Sequence, residues 1–102
     1  MNTIHICVIK SASLSKTIST IRKFNDASIG EVKKSIETKS PVLVRKHHDI
    51  DGIREVLKLY TLLSEQGDVC ELYEAGIKTT EAILNNLCKS IKQDMDYIDS
   101  HY

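Results

Sequence analysis

From residue 3 to residue 10 the chain reads Thr-Ile-His-Ile-Cys-Val-Ile-Lys, with Ile4, Ile6 and Val8 on one side of an alternating pattern and His5, Cys7 and Ile9 on the other. A period of two marks a strand, and because both sides are largely apolar the strand is expected to be central. Ser11, Ser13 and Ser15 then offer capping oxygens ahead of Ile18, Ile21 and Phe24, whose spacing of three predicts a short amphipathic helix ended by Asn25 and Asp26. A second helix is announced by Ser28-Ile29-Gly30-Glu31, the S-x-x-E form in which each side chain can satisfy an orphan amide at the other's position, with Val32 and Ile36 as its buried stripe. Pro41 stops any continuation, and the β-branched run Val42-Leu43-Val44 predicts a second strand.

Asp49 and Asp51 place capping oxygens and negative charge before Ile53, Val56, Leu57, Tyr60 and Leu63, which recur at spacings of three and four. That segment is the clearest helix in the chain. Gly67 falls where a left-handed residue would close it, and Val69 to Glu74 alternates as a third strand. Ala75-Gly76 marks the exit, with Glu74 to Lys78 the expected hinge. The last segment, about 79–98, sets Ile83, Leu84, Leu87, Cys88, Ile91, Met95 and Ile98 on one face of a long amphipathic helix. The fold class is therefore α+β: β-α-α-β-α-β over a core at 3–74, a three-stranded antiparallel sheet with helices on one face, plus an additional C-terminal amphipathic helix.

The stretch from about Ile4 to Glu74 resembles the C-terminal domain of the large-subunit ribosomal stalk protein, a fold shared with the substrate adaptor of the bacterial Clp protease. Ile18, Ile21 and Arg22, followed by Ile29, Glu31, Val32, Lys33, Ile36 and Glu37, lie without a gap on that family's helical hairpin. Val42–Val44, Ile53–Leu63, Gly67 and Val69–Tyr73 match its strand, long helix, glycine and last strand. The resemblance implies a non-enzyme that works by protein docking through the hairpin, and it points to Arg22, Ile29, Glu31 and Lys33 as contact residues. The family's glycine-rich turn is replaced by Asp26-Ala27-Ser28, and everything after Glu74 falls outside the resemblance.

Composition agrees with one globular domain over 1–102, since 41% of the 102 residues are hydrophobic and 27% charged, with a single Pro. Fourteen basic side chains balance fourteen acidic ones, so no overall field draws the chain to nucleic acid or to an anionic membrane, and neither is an expected partner. The basic groups Arg45-Lys46-His47-His48 and Arg22, Lys23, Lys33, Lys34 are interleaved with Glu31, Glu37, Asp49 and Asp51, and only 5% of residues are aromatic, too few for a stacking set. Cys7, Cys70 and Cys88 are far apart and set among apolar neighbours, which predicts buried reduced thiols. With an N-terminal apolar run too short for a signal peptide or a membrane span, the expected location is the cytoplasm.

Candidate chemistry is sparse. His47-His48-Asp49-Ile50-Asp51 carries ligand-type groups, but adjacent histidines on an extended chain diverge and both aspartates are accounted for as helix caps, so no metal and no cofactor is expected. His5 and Cys7 share a strand face, a possible base and nucleophile for which a buried thiol beside a satisfied histidine is the simpler account. The reading is a non-catalytic protein-binding domain, foremost a small bacterial immunity protein that neutralises a toxin by binding it. A translation-associated or adaptor-like docking factor stands second, and a small metal protein or enzyme third. The candidate contact surfaces are Arg22, Ile29, Glu31 and Lys33 on the hairpin, and Leu84, Ile91, Met95 and Ile98 on the last helix, through which a homodimer could also form.

Overall fold

A computed structural model of the chain describes the backbone of residues 2–101 and the side chains of residues 2–92. The elements are β1 (Thr3–Lys10), α1 (Leu14–Ile21), α2 (Ile29–Glu37), β2 (Pro41–Lys46), α3 (Ile50–Glu65), β3 (Val69–Glu74), β4 (Ile77–Thr79) and α4 (Glu81–His101). They build one antiparallel sheet in the order β2-β1-β3-β4. The expected three strands are thus four, and the reason is local. Ala75 (φ 51) and Gly76 (φ 79) form a two-residue turn in which both residues have positive φ, and it returns the chain as an edge strand pairing Glu74 with Ile77 and Tyr73 with Lys78. The expected hinge at Glu74 to Lys78 is this hairpin.

β1 is central as expected, pairing with β2 on one side and β3 on the other. Both neighbours run antiparallel to it, so α3 carries the chain from β2 across β1 to β3. Ile4, Ile6 and Val8 of β1 are fully buried under α3, whose Ile53, Val56, Leu59 and Leu63 are buried against them. A register shift in β2 between the partners of Ile6 and Cys7 leaves Val42 as an extra residue, which lets consecutive Val42 and Leu43 both be buried. A second shift between Val8 and Lys10 does the same around Ile9 and brings Lys10 opposite Val69.

Helix ends follow the sequence with instructive exceptions. Ser28 Oγ accepts from the Glu31 N–H (3.2 Å) and Asp49 Oδ1 from the Gly52 N–H (3.0 Å), so both N-terminal caps form, the first without the reciprocal bond from the Glu31 side chain among the described residues. α1 is shorter than its spacing suggested: it ends at Ile21, leaving Phe24 in the following turn, and its N-cap Ser13 makes no side-chain cap. A tertiary contact takes over there. Asp68, buried at the α3–β3 junction, accepts from the Ala12 N–H (2.7 Å) and lies 2.9 Å from the Thr17 hydroxyl, while the Gln66 side-chain amide donates to Thr20 Oγ1 (2.6 Å). The bonds to Thr17 and Thr20 latch the buried side of α1 to the end of α3.

α2 and α3 close in the same way. In α3 the Asp68 N–H returns to the Leu63 carbonyl (3.0 Å) and the Gly67 N–H to Ser64 (3.1 Å), around Gly67 at φ 90. In α2 the Ser40 N–H returns to Ser35 (2.8 Å) and the Lys39 N–H to Ile36 (3.2 Å), around Lys39 at φ 56. Both are Schellman closures, the first with the residue that suits it and the second with one that does not.

α4 begins one residue after Thr80, whose Oγ1 accepts from the Ile83 N–H (3.2 Å), and packs on α3. Leu84 and Cys88 join the core, with Leu87 and Ile91 half-buried against it, whereas Ile83 turns outward at 50% exposure, contrary to its assignment to the buried stripe. Among the described residues no helix is long and apolar enough to cross a membrane.

Candidate docking groove

α1 and α2 meet in a hairpin whose inner sides, Ile18 and Ile21 from one helix and Val32 and Ile36 from the other, are spent on the core. Their outer sides bound a groove of about 460 Å³ lined by Leu14, Ser15, Ile18, Ser19, Arg22, Ile29 and Lys33. Three of the four hairpin residues marked from sequence, Arg22, Ile29 and Lys33, therefore converge on one surface. Glu31 is exposed on α2 but does not line the groove.

The groove has a definite chemistry. Leu14, Ile18 and Ile29 give it an apolar base, and Ile29, at the first position of α2, is 57% exposed, a large cost in hydrated apolar surface for a residue beside a helix cap. Arg22 and Lys33 supply the only charges in the lining, both positive. Arg22 Nε donates to the Ala27 carbonyl (3.2 Å), which braces the turn between the helices and holds the guanidinium at the groove.

The last helix offers less than its stripe suggested. Leu84 is fully buried and so used inside the chain, while Ile91 is half-buried against the core. Met95 and Ile98 lie outside the described side chains.

The basic run at the end of β2 is partly consumed. Arg45 pairs with Glu55 (3.0 Å) and donates to the carbonyls of Phe24 (3.2 Å) and Val44 (2.8 Å), tying the edge of the sheet to the hairpin. His47 Nε2 meets Glu74 Oε1 at 2.6 Å and its ring packs edge-on against His48. The other nitrogen, Nδ1, is buried with no hydrogen-bond partner, so a substrate cannot reach it. No group of three or more His, Cys, Asp or Glu side chains is placed to hold a metal ion among the described residues.

His5 and Cys7 share a face as their spacing implied, but they are not arranged as base and nucleophile. The His5 ring stacks on Tyr73 across the strand gap (centroids 4.9 Å, planes 16° apart), and burial lowers its pKa. Burial, with Glu71 nearby, raises that of the Cys7 thiol. Cys70 is pushed up to about 12, chiefly by burial and further by Asp68 and Cys7. All of these shifts favour the neutral forms, the reverse of a thiolate–imidazolium pair.

Two features had no sequence signal. The bond of Asp68 to Thr17 joins positions 51 apart, and that of Gln66 to Thr20 positions 46 apart. Searches with protein-family models, against characterised proteins and against solved structures found no match to the chain.

Proposed function

We propose that this chain is a non-catalytic protein-docking domain and that the α1–α2 groove is its working surface. The observation that supports it most directly is the convergence of Arg22, Ile29 and Lys33 on one apolar-floored groove whose only lining charges are positive. Such a surface suits a protein segment that inserts one apolar side chain between two carboxylates, where desolvation of the floor gives affinity and the charge pairs fix orientation.

Two roles use this surface. The resemblance to the ribosomal stalk domain favours a docking or adaptor factor, because the hairpin is the contact element in that family. A toxin-neutralising immunity protein, the role preferred from size and lack of chemistry, engages its target through the same groove. Affinity purification from the native cells at low salt, in parallel with the Arg22→Glu/Lys33→Glu double variant, tests the common premise. One stoichiometric protein partner is expected with the wild-type chain and its loss with the variant. A partner retained by the variant sinks the groove, and ribosomes, translation factors or a toxin in the wild-type sample decide the role.

A further inference from the structure

The helices all lie on one side of the sheet, since α2 and α3 pack on its strands and α1 and α4 pack on α3. No helix packs on the opposite side among the described residues, although Cys7 there is buried. Register fixes what it carries. One rung runs Lys78, Tyr73, His5, Val44 across β4, β3, β1 and β2, with Thr3–Lys46 on one flank and Cys7–Glu71 and Lys10–Val69 on the other.

Two properties of this face stand apart from the chain as a whole. The first is charge. Net charge is zero overall, and the helices carry both signs, nine acids against seven bases. On the uncovered face Lys10, Lys46 and Lys78, all exposed, share the surface with a single acid among the described residues, Glu71. Glu71 is engaged by the Tyr73 hydroxyl and lies 3.7 Å from the Lys78 ammonium. Lys10 reaches this face only because of the irregularity at Ile9.

The second property is the ring pair. His5 and Tyr73 stack across the gap between β1 and β3, with Lys78 next to Tyr73 on its outer side and Val44 next to His5 on the other. Beyond His5 lies Val44, short and 46% exposed, which leaves a shelf of one strand spacing beside the imidazole.

We infer that the uncovered sheet face binds single-stranded nucleic acid, with one base stacked on the outer face of His5 above Val44 and phosphates of the strand against Lys10, Lys46 and Lys78. Base–ring stacking is tolerant of sequence, and three lysines give the electrostatic share, so the binding is non-specific and salt-sensitive. This surface lies on the other side of the molecule's layers from the α1–α2 groove and stands whether or not that groove docks a protein.

The test is fluorescence anisotropy of the full chain with labelled oligo(U) and oligo(dT) of about a dozen nucleotides, enough to cover one such face. Titrations from low salt upward are expected to give a log–log slope near −2, from three phosphate contacts at roughly 0.7 each. Lys46→Gln should flatten it by about 0.7. His5→Ala should weaken binding about tenfold or more, while His5→Phe and Tyr73→Phe, which keep the flat rings, should bind like the wild type. Circular dichroism of each variant separates a lost platform from a lost fold, and the two ring-preserving variants keep the test sharp if His5→Ala unfolds. No binding at low salt overturns the inference. So does binding that His5→Ala and Lys46→Gln leave unchanged, or a mononucleotide that competes as well as the polymer. A preference for RNA over DNA would assign contacts to the 2′-hydroxyl.

Discussion

Lys39→Gly should stabilise this protein, although it deletes a long side chain and adds flexibility to the unfolded chain. Lys39 closes α2 in the left-handed region at φ 56, where its Cβ crowds the following carbonyl. The strain is about 1–2 kcal/mol for a non-glycine residue. Glycine removes it but gives up about 0.5–1 kcal/mol of unfolded-state entropy, so the net gain is near 1 kcal/mol. Lys39 is exposed and forms no ion pair among the described residues, so little else is lost. For a domain of this size 1 kcal/mol corresponds to a rise in Tm of roughly 4 °C. The mirror substitution is Gly67→Ala in the matching closure of α3, whose Cβ would sit 3.5 Å from that of Ala12, an ordinary contact. It should cost a similar ~1 kcal/mol from backbone torsion alone. Urea unfolding followed at a helix band measures both, and the slope m should not change. A neutral or destabilising Lys39→Gly, with Gly67→Ala costing the expected amount, would refute the claim that the two closures are equivalent.

Gly52→Ala should destabilise by about 1–3 kcal/mol despite the better helix propensity of alanine, because the new Cβ would lie 2.6 Å from Asp49 Oδ2 and 2.9 Å from Arg45 Cβ; denaturant midpoints decide it. Asp68→Ala should cost about 1–3 kcal/mol by orphaning the Ala12 N–H and freeing the start of α1, and faster amide exchange through α1 than through α3 would locate the damage. Cys70 keeps its proton in the folded chain up to about 12, against an ordinary 9.0, so the unfolded state releases that proton first. Stability is therefore whole below about pH 9 and falls as pH rises toward 12, a slope that Cys70→Ala should flatten in pH-dependent melts. For the same reason Cys70 should resist alkylation at neutral pH in the folded state and react readily in urea.

The elements that were legible in the sequence are those whose pattern repeats several times. α3 has four turns of apolar spacing and the cap of Asp49, and β1 alternates over eight residues. β4 has three residues, too few for an alternation, and the only mark it left is the Ala75-Gly76 pair, which suits a tight hairpin as well as an exit. Phe24 kept the spacing of α1 but sits past its end, packed on the core from a turn. The hairpin residues Arg22, Ile29 and Lys33 were identifiable singly, through the resemblance. That they share one groove depends on how α1 and α2 pack, and the Asp68 and Gln66 latches that fix α1 are long-range and carry no local pattern. Which lysines share the uncovered face likewise depends on strand register, which composition does not carry.

The two edges of the sheet are not equivalent. The Val42 carbonyl accepts from the Asn25 side chain (2.8 Å) and the Val44 carbonyl from Arg45 (2.8 Å), so β2 is already occupied along its outer margin, whereas no side chain caps the backbone of β4 among the described residues. A chain that can add strands at only one margin has no way to stack head to tail. Joining margin to margin would pair β4 with another β4 and then terminate, so the edge with fewer obstacles favours a closed pair over open-ended growth.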